Sequence, residues 1–220
     1  MHHTYTNATA IPQVVYDRFG NAVTVAPGAT FTEDYFTPDS GLFGLVVGVP
    51  ALDDDDRAVA TVDMKVGDYA IANASPVDSL ARNITVTHAT QGGTADTLGT
   101  ITIEGTDIEG KAISEQIVPS ADGVATGAKA FKTVTKVTGA GWVIDAGGTP
   151  EADHIKVGFG NLIGLPVKIA EEDRIVQVAL GTALINAPVV AHGAAICQCT
   201  VDASGGTYDG TKKLVVLLKQ

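Results

Sequence analysis

Charge is what this chain has least of. Asp, Glu, Lys and Arg make up 18% of its 220 residues, below the quarter or so usual in soluble domains. Aromatic side chains are scarce too, at 5%, with a single tryptophan. A glycan-binding platform wants two or three exposed rings on one face, which Trp142 alone does not supply. Two cysteines, Cys197 and Cys199, are too few for a disulfide framework, and residues two apart on one strand do not easily bond to each other. The expectation is a chain made in a reducing cytosol, or one indifferent to redox. No apolar run is long enough for a membrane-crossing helix, so no membrane partner is expected. The opening MHHTYTNATAIPQ has no basic region followed by an apolar core, which predicts no secretion signal. Long runs of Leu, Glu, Lys and Ala, which would fill helices, are missing.

Gly and Thr are abundant, 25 of each, and apolar residues reach 45%. That much apolar surface excludes a disordered chain, and a composition weighted to Val, Thr and Gly reads as strands and turns. The length suits one large β domain or two small ones. The formal charge of −11 leaves phosphate binding to a local patch, so no nucleic-acid partner is expected. The same acidity steers the protein toward basic partner surfaces.

The hydrophobic pattern predicts an all-β fold, a β-sandwich or barrel-like arrangement with little helix. Val14–Tyr16 and Ala22–Val25 flank a Gly/Asn turn and read as a hairpin, and Thr30–Phe36 is a further strand. Residues 1–12 are small and polar, and alone would be a flexible arm. The run LFGLVVGV at 42–49 fits a strand buried on both faces. Arg82–His88, Thr100–Glu104 and Ala112–Val118 alternate cleanly, the last two joined by a turn at 105–111. Ala128–Val137 breaks parity, with Phe131, Val134 and Val137 three apart, which calls for a helical turn or a bulge. Trp142–Ile144, His154–Phe159, Val167–Ile169, Ile175–Ala179, Leu184–Val190, Ala194–Val201 and Leu214–Leu218 read as further strands. Residues 1–75 are expected to form an N-terminal arm and β segment packing with a C-terminal segment, 170–220. Between them lies a central sandwich-like domain, 76–169.

Few residues offer chemistry. His88, His154 and His192 are the histidines beyond the N-terminus, and His88 and His154, at strand ends, are able to meet; no Ser or Cys stands in a nucleophile-elbow context beside them. Cys197 and Cys199 read as two buried thiols on one strand face, since a cysteine metal site usually needs four ligands. Asp53–Asp56 supplies hard ligands for calcium but lacks the spaced pattern that wraps an ion, so a solvated loop is expected. Lys129, Lys132 and Lys136 form the one local basic cluster, read chiefly as a solvated face. Gly139-Ala140-Gly141 and Gly158-Phe159-Gly160 read as turns or bulges, not phosphate loops. No catalytic, cofactor-binding or metal-ligating residue is assigned, and no enzyme activity is expected.

The stretch Arg82–Thr87, then Gly99–Asp107, then Gly110–Ile117, with Ala130–Val134 following, resembles a pattern of tailed-bacteriophage structural proteins. In it a strand of the form V/I-T-V-x-G-T-D precedes G-x-x-x-x-E-x-I. Val14–Pro27 and Asp202–Leu217 also look like the flanks of capsid decoration, or cement, proteins. The resemblance covers about two thirds of the chain and carries over no catalytic residue. It implies a virion protein, made in the host cytoplasm, that binds the outer surface of the capsid and stabilises contacts between major capsid protein subunits. Self-association, as a homotrimer for instance, goes with that role. The alternatives are a tail or head–tail connector protein and, in a different class, a glycan-binding β-sandwich module.

Overall fold

The computed structural model describes residues 3–8, 13–16, 22–33, 42–92, 96–144, 151–169, 171, 174–185, 188–203 and 207–219. Among them are strands and one 3-10 turn but no α-helix. The chain begins with β1 (His3–Thr6), β2 (Gln13–Tyr16), β3 (Ala22–Val25), β4 (Thr30–Glu33) and β5 (Leu42–Gly48). A central series follows: β6 (Asp54–Asp63), β7 (Gly67–Asp68), β8 (Arg82–Ala89), β9 (Thr100–Thr106), β10 (Ala112–Ile117), β11 (Val124–Phe131), β12 (Thr133–Ala140) and β13 (His154–Gly164). The chain closes with β14 (Ile175–Leu180), β15 (Ala183–Leu184), β16 (Val189–Ala191), β17 (Thr200–Asp202) and β18 (Leu214–Lys219).

The central series is a sandwich of antiparallel sheets. One sheet runs β10-β9-β12-β7; the other runs β11-β8-β13, with β6 on the far side of β13. Alternation dictates the facing surfaces. Ile84 and Val86 of β8 and Ile155, Val157 and Phe159 of β13 meet Ile101 and Ile103 of β9 and Val134 and Val137 of β12 in one buried cluster. Each such side chain contributes about 1.5–3 kcal/mol by leaving water. A second cluster gathers Ile163, Leu165, Val178, Leu180, Val201, Leu214, Val216 and Leu218. Its sheet runs β15-β14-β18-β5, so the apolar run at 42–48 pairs with the C-terminal strand. Residues 54–68, by contrast, pair with β13 and β12 in the central sandwich.

β13 joins the two cores. Its first half faces the sandwich and its last residues, with Leu165, enter the second cluster. Between them the register against β8 shifts from Phe159↔Ile84 to Ile163↔Arg82, two residues more on β13 than on β8. β11 does the same on the other flank of β8, from Thr126↔Thr85 to Ala130↔Asn83. With a third shift, between Val134 and Lys136 of β12, the β11 bulge accounts for the broken parity at 128–137: bulges, not a helical turn.

Other expectations are corrected. Cys197 lies in the 3-10 turn Ile196–Gln198 and Cys199 caps it, so the two thiols do not share a strand face, although both are buried. Trp142–Ile144 is no strand; Val143 alone bridges to Thr97. Val167–Ile169 lies outside any strand, and 184–190 holds two short strands, not one. Asp54–Asp56 opens β6, where a loop was expected. His3–Thr6, expected within a flexible arm, is paired with Thr30–Glu33, whereas Gln13–Tyr16 pairs with Ala22–Val25 as the expected hairpin. The turn 17–21 and the end of the expected strand Thr30–Phe36 lie outside the described residues.

Gly105 permits the closest approach within the β9–β12 pair. A Cβ there would stand 1.9 Å from the Thr133 carbonyl oxygen, on a backbone held by the Thr106 pairing and by Val134 N–H donating to Ala74 O at 2.7 Å. Gly105→Ala is therefore expected to cost about 2–4 kcal/mol of unfolding free energy. Gly110→Ala, at a positive φ of 80° with open space around it, is expected to cost about 1 kcal/mol. Denaturant unfolding of both variants measures the contrast, and equal losses would refute the packing account.

Candidate functional site

A buried polar constellation sits at the end of the sandwich where β8 finishes and β13 begins. The parity that turns Ile84 and Val86 inward turns His88 inward as well. Its ring is buried together with Asp96 and Asp153. Nε2 lies 2.9 Å from Asp153 Oδ2, and Nδ1 accepts the Asp122 backbone N–H at 3.0 Å. An accepting Nδ1 leaves the proton on Nε2, so the ring is neutral and donates to the carboxylate. Asp153 Oδ1 accepts Gln91 N–H at 2.7 Å, and Oδ2 also accepts Asp96 N–H at 2.8 Å. Asp96 Oδ2 in turn accepts Asp153 N–H at 2.9 Å and the Trp142 indole N–H at 3.1 Å. Met64 N–H donates to Asp153 O at 2.7 Å.

Burial pushes the Asp153 pKa up, but the donors from Gln91, Asp96 and His88 outweigh it and hold the carboxyl below its ordinary range. A His–Asp pair serves catalysis when the second ring nitrogen faces a nucleophile or substrate. Here protein groups occupy both ring nitrogens, and what the pair does is tie four loops together. His154, which the sequence leaves able to meet His88, is adjacent to it in register: Ile155 pairs with His88 and Ala89 with His154. Cross-strand partners share a face, so the two histidines point to opposite sides of the sheet. His154 Nε2 lies 3.3 Å from the exposed Asp63 carboxylate. His192 is exposed beyond β16.

A second polar node lies at the other end of β8. Arg82 is fully buried, with Nε 3.0 Å and Nη2 2.5 Å from Asp78 Oδ2. Nη1 donates to Gly160 O at 2.9 Å and Nη2 to Ala51 O at 2.5 Å, while the Tyr208 ring lies 5.7 Å away. Burial pushes the Tyr208 phenol up to about 12, so its oxygen accepts Ala203 N–H as a neutral group. Asn83 reaches both bulges, donating to Gly127 O at 3.1 Å and accepting Leu162 N–H at 3.0 Å. Glu115 of β10 crosses to the bulged β11, accepting the N–H groups of Ala128 and Lys129 at 2.7 and 3.3 Å. Asp107 accepts Glu109 and Lys111 N–H at 2.9 Å each and shapes the β9–β10 turn.

The remaining candidates disperse. Lys129 donates to Ser114 O at 2.6 Å, Lys132 to Ser79 O, and Lys136 lies 3.4 Å from Asp68, so each cation has its own acceptor. Asp55 pairs with Lys156 at 2.6 Å and Asp54 with Arg57 at 3.7 Å. Partial burial and a shared hydrogen bond with Asp56 push the Asp54 pKa up. Among the described residues no three His, Cys, Asp or Glu side chains converge to hold a metal ion. Cys199 Sγ accepts Ile169 N–H at 3.2 Å, a structural use of the thiol, and burial pushes the Cys197 thiol up. A groove of about 300 Å³ on the outer face is lined by Thr61, Thr87, Ala89, His154, Ile155 and Lys156.

Comparison with protein families, curated proteins and solved structures yields no match.

Asp153→Asn keeps one acceptor oxygen and sets an NH2 group against backbone donors. It is expected to lower stability at neutral pH by about 2–4 kcal/mol. The Asp153 carboxyl titrates below 3.8 when folded, so its contribution is complete above that value and is lost as pH falls through the folded pKa. Urea unfolding at a series of pH values should show the gap between wild type and variant narrowing as the medium turns acid. A gap independent of pH would refute the ionised-carboxylate account.

Proposed function

We propose that this chain is a virion structural protein of a tailed bacteriophage, bound to the outer surface of the capsid, where it stabilises contacts between major capsid protein subunits. The observation that carries the reading is where the phage-like pattern falls. Its Gly105, Asp107, Gly110 and Glu115 are the residues that make the β9–β10 hairpin and clamp it to β11. The pattern thus coincides with the rigidity of the sandwich, as suits a body selected for shape. Support comes also from the polar groups. His88, Asp96, Asp153, Arg82 and Asn83 are spent on backbone and on one another, binding loops and bulges into a fixed form.

A glycan-binding module is the weaker reading. The Trp142 ring packs against the sandwich core and its N–H is given to Asp96, so the ring is engaged from within. A tail or connector ring differs in symmetry, and mass measurement separates it from a trimeric decoration protein. Shells assembled without this chain are expected to lose resistance to heat and denaturant, and to regain it when the purified protein is added. Equal resistance with and without it, and no occupancy on the shells, would overturn the proposal.

A further inference from the structure

Exposed apolar side chains are not spread evenly. Val66, Val118, Val124, Val143 and Ile144 are each between 40% and 64% exposed, and strand direction brings all five to one end of the sandwich. β6, β8, β10 and β12 finish there and β9, β11 and β13 start there, as their registers require. This is the end away from the second core, which β13 enters with its last residues. The loops that carry these side chains are cross-linked beneath. Trp142 N–H reaches Asp96, Asp96 and Gln91 N–H reach Asp153, Asp122 N–H reaches His88, and Met64 N–H reaches Asp153 O. Apolar side chains on backbone held by such bonds lose little entropy on docking.

The border of this surface is acidic. Among the described residues Asp63, Asp68, Asp122 and Glu151 are exposed around it, against Lys65 and Lys136; Asp63 faces His154 and Asp68 faces Lys136, so Asp122 and Glu151 carry the excess of negative charge. The groove between Thr61, Ala89 and Lys156 opens on the adjoining face and is large enough for one apolar anchor side chain. The same end of a second copy is a poor occupant. A two-fold contact would set the acidic border against itself, on protomers of charge −11 each.

We propose that this end of the sandwich is the docking surface for a different protein, one that presents an apolar ridge bordered by lysine and arginine. The identity of that partner as the major capsid protein rests on the reading above; the surface rests on the placement of these side chains. The test is cosedimentation of the purified full chain with shells lacking it, using Val66→Asp and Val143→Asp against Leu52→Asp and Val189→Asp. Leu52 and Val189 are equally exposed elsewhere on the molecule, so none of the four changes disturbs the core. The expected result is binding by wild type and both controls, and binding at least about tenfold weaker for Val66→Asp and Val143→Asp. Wild-type binding that the two distal variants keep, or that the controls lose to the same degree, overturns the docking surface and leaves the capsid reading standing. No binding by wild type overturns both. Self-association of the free protein that Val143→Asp abolishes would assign the surface to a second copy and overturn the proposal as well.

Discussion

The architecture depends on satisfying backbone groups where β8 is flanked by two bulges at the same level. Each neighbour, β11 and β13, carries two residues more than β8 across that step. Such bulges free N–H and C=O groups from the ladder inside a packed body, where an unpaired group costs about 1–3 kcal/mol. Three side chains meet the need. Asn83 serves both bulges, Arg82 takes the Gly160 carbonyl, and Glu115 reaches from the opposite sheet to the N–H groups of Ala128 and Lys129. The bulges bend the flanking strands, and the bend lets β13 leave the first core and enter the second.

Much of this was legible along the chain. The strands β8, β9, β10 and β13 follow from alternation, and the three-residue spacing of Phe131, Val134 and Val137 does mark a bulge. What escaped were polar residues whose role depends on distant chain. Arg82 opens an alternating strand and reads as a surface residue until the Ala51 and Gly160 carbonyls and Asp78 are in place around it. Asp153 reads as a loop acid, although two signals pointed to it: a histidine at inward parity, and one tryptophan whose N–H needs an acceptor when buried. The expected strand Ala194–Val201 failed for a related reason. Its small residues and cysteines are apolar enough for a strand, yet Gly193, Ala195 and Gln198 close a 3-10 turn that positions Cys199 toward Ile169.

The two polar nodes divide the labour along β8. At one end Arg82 ties the sandwich to the 51 and 78 loops and to Tyr208 beside the second core. At the other, His88 and Asp153 gather the loops of the opposite tip. Both nodes are charge-bearing or charge-accepting groups buried at high desolvation cost, tolerable because backbone donors and acceptors surround them. Groups so enclosed restrict the chain to one arrangement of loops.

A single strand shared between two apolar clusters has a mechanical meaning. Melting the C-terminal cluster frees the end of β13 and, with it, the Ile163↔Arg82 pairing; opening the sandwich withdraws the same strand from its other anchor. Heat or pulling force on one cluster is thus passed to the other through β13, and the two clusters are coupled in melting, whereas β1 with β4 and β2 with β3 form separate two-stranded sheets outside that coupling.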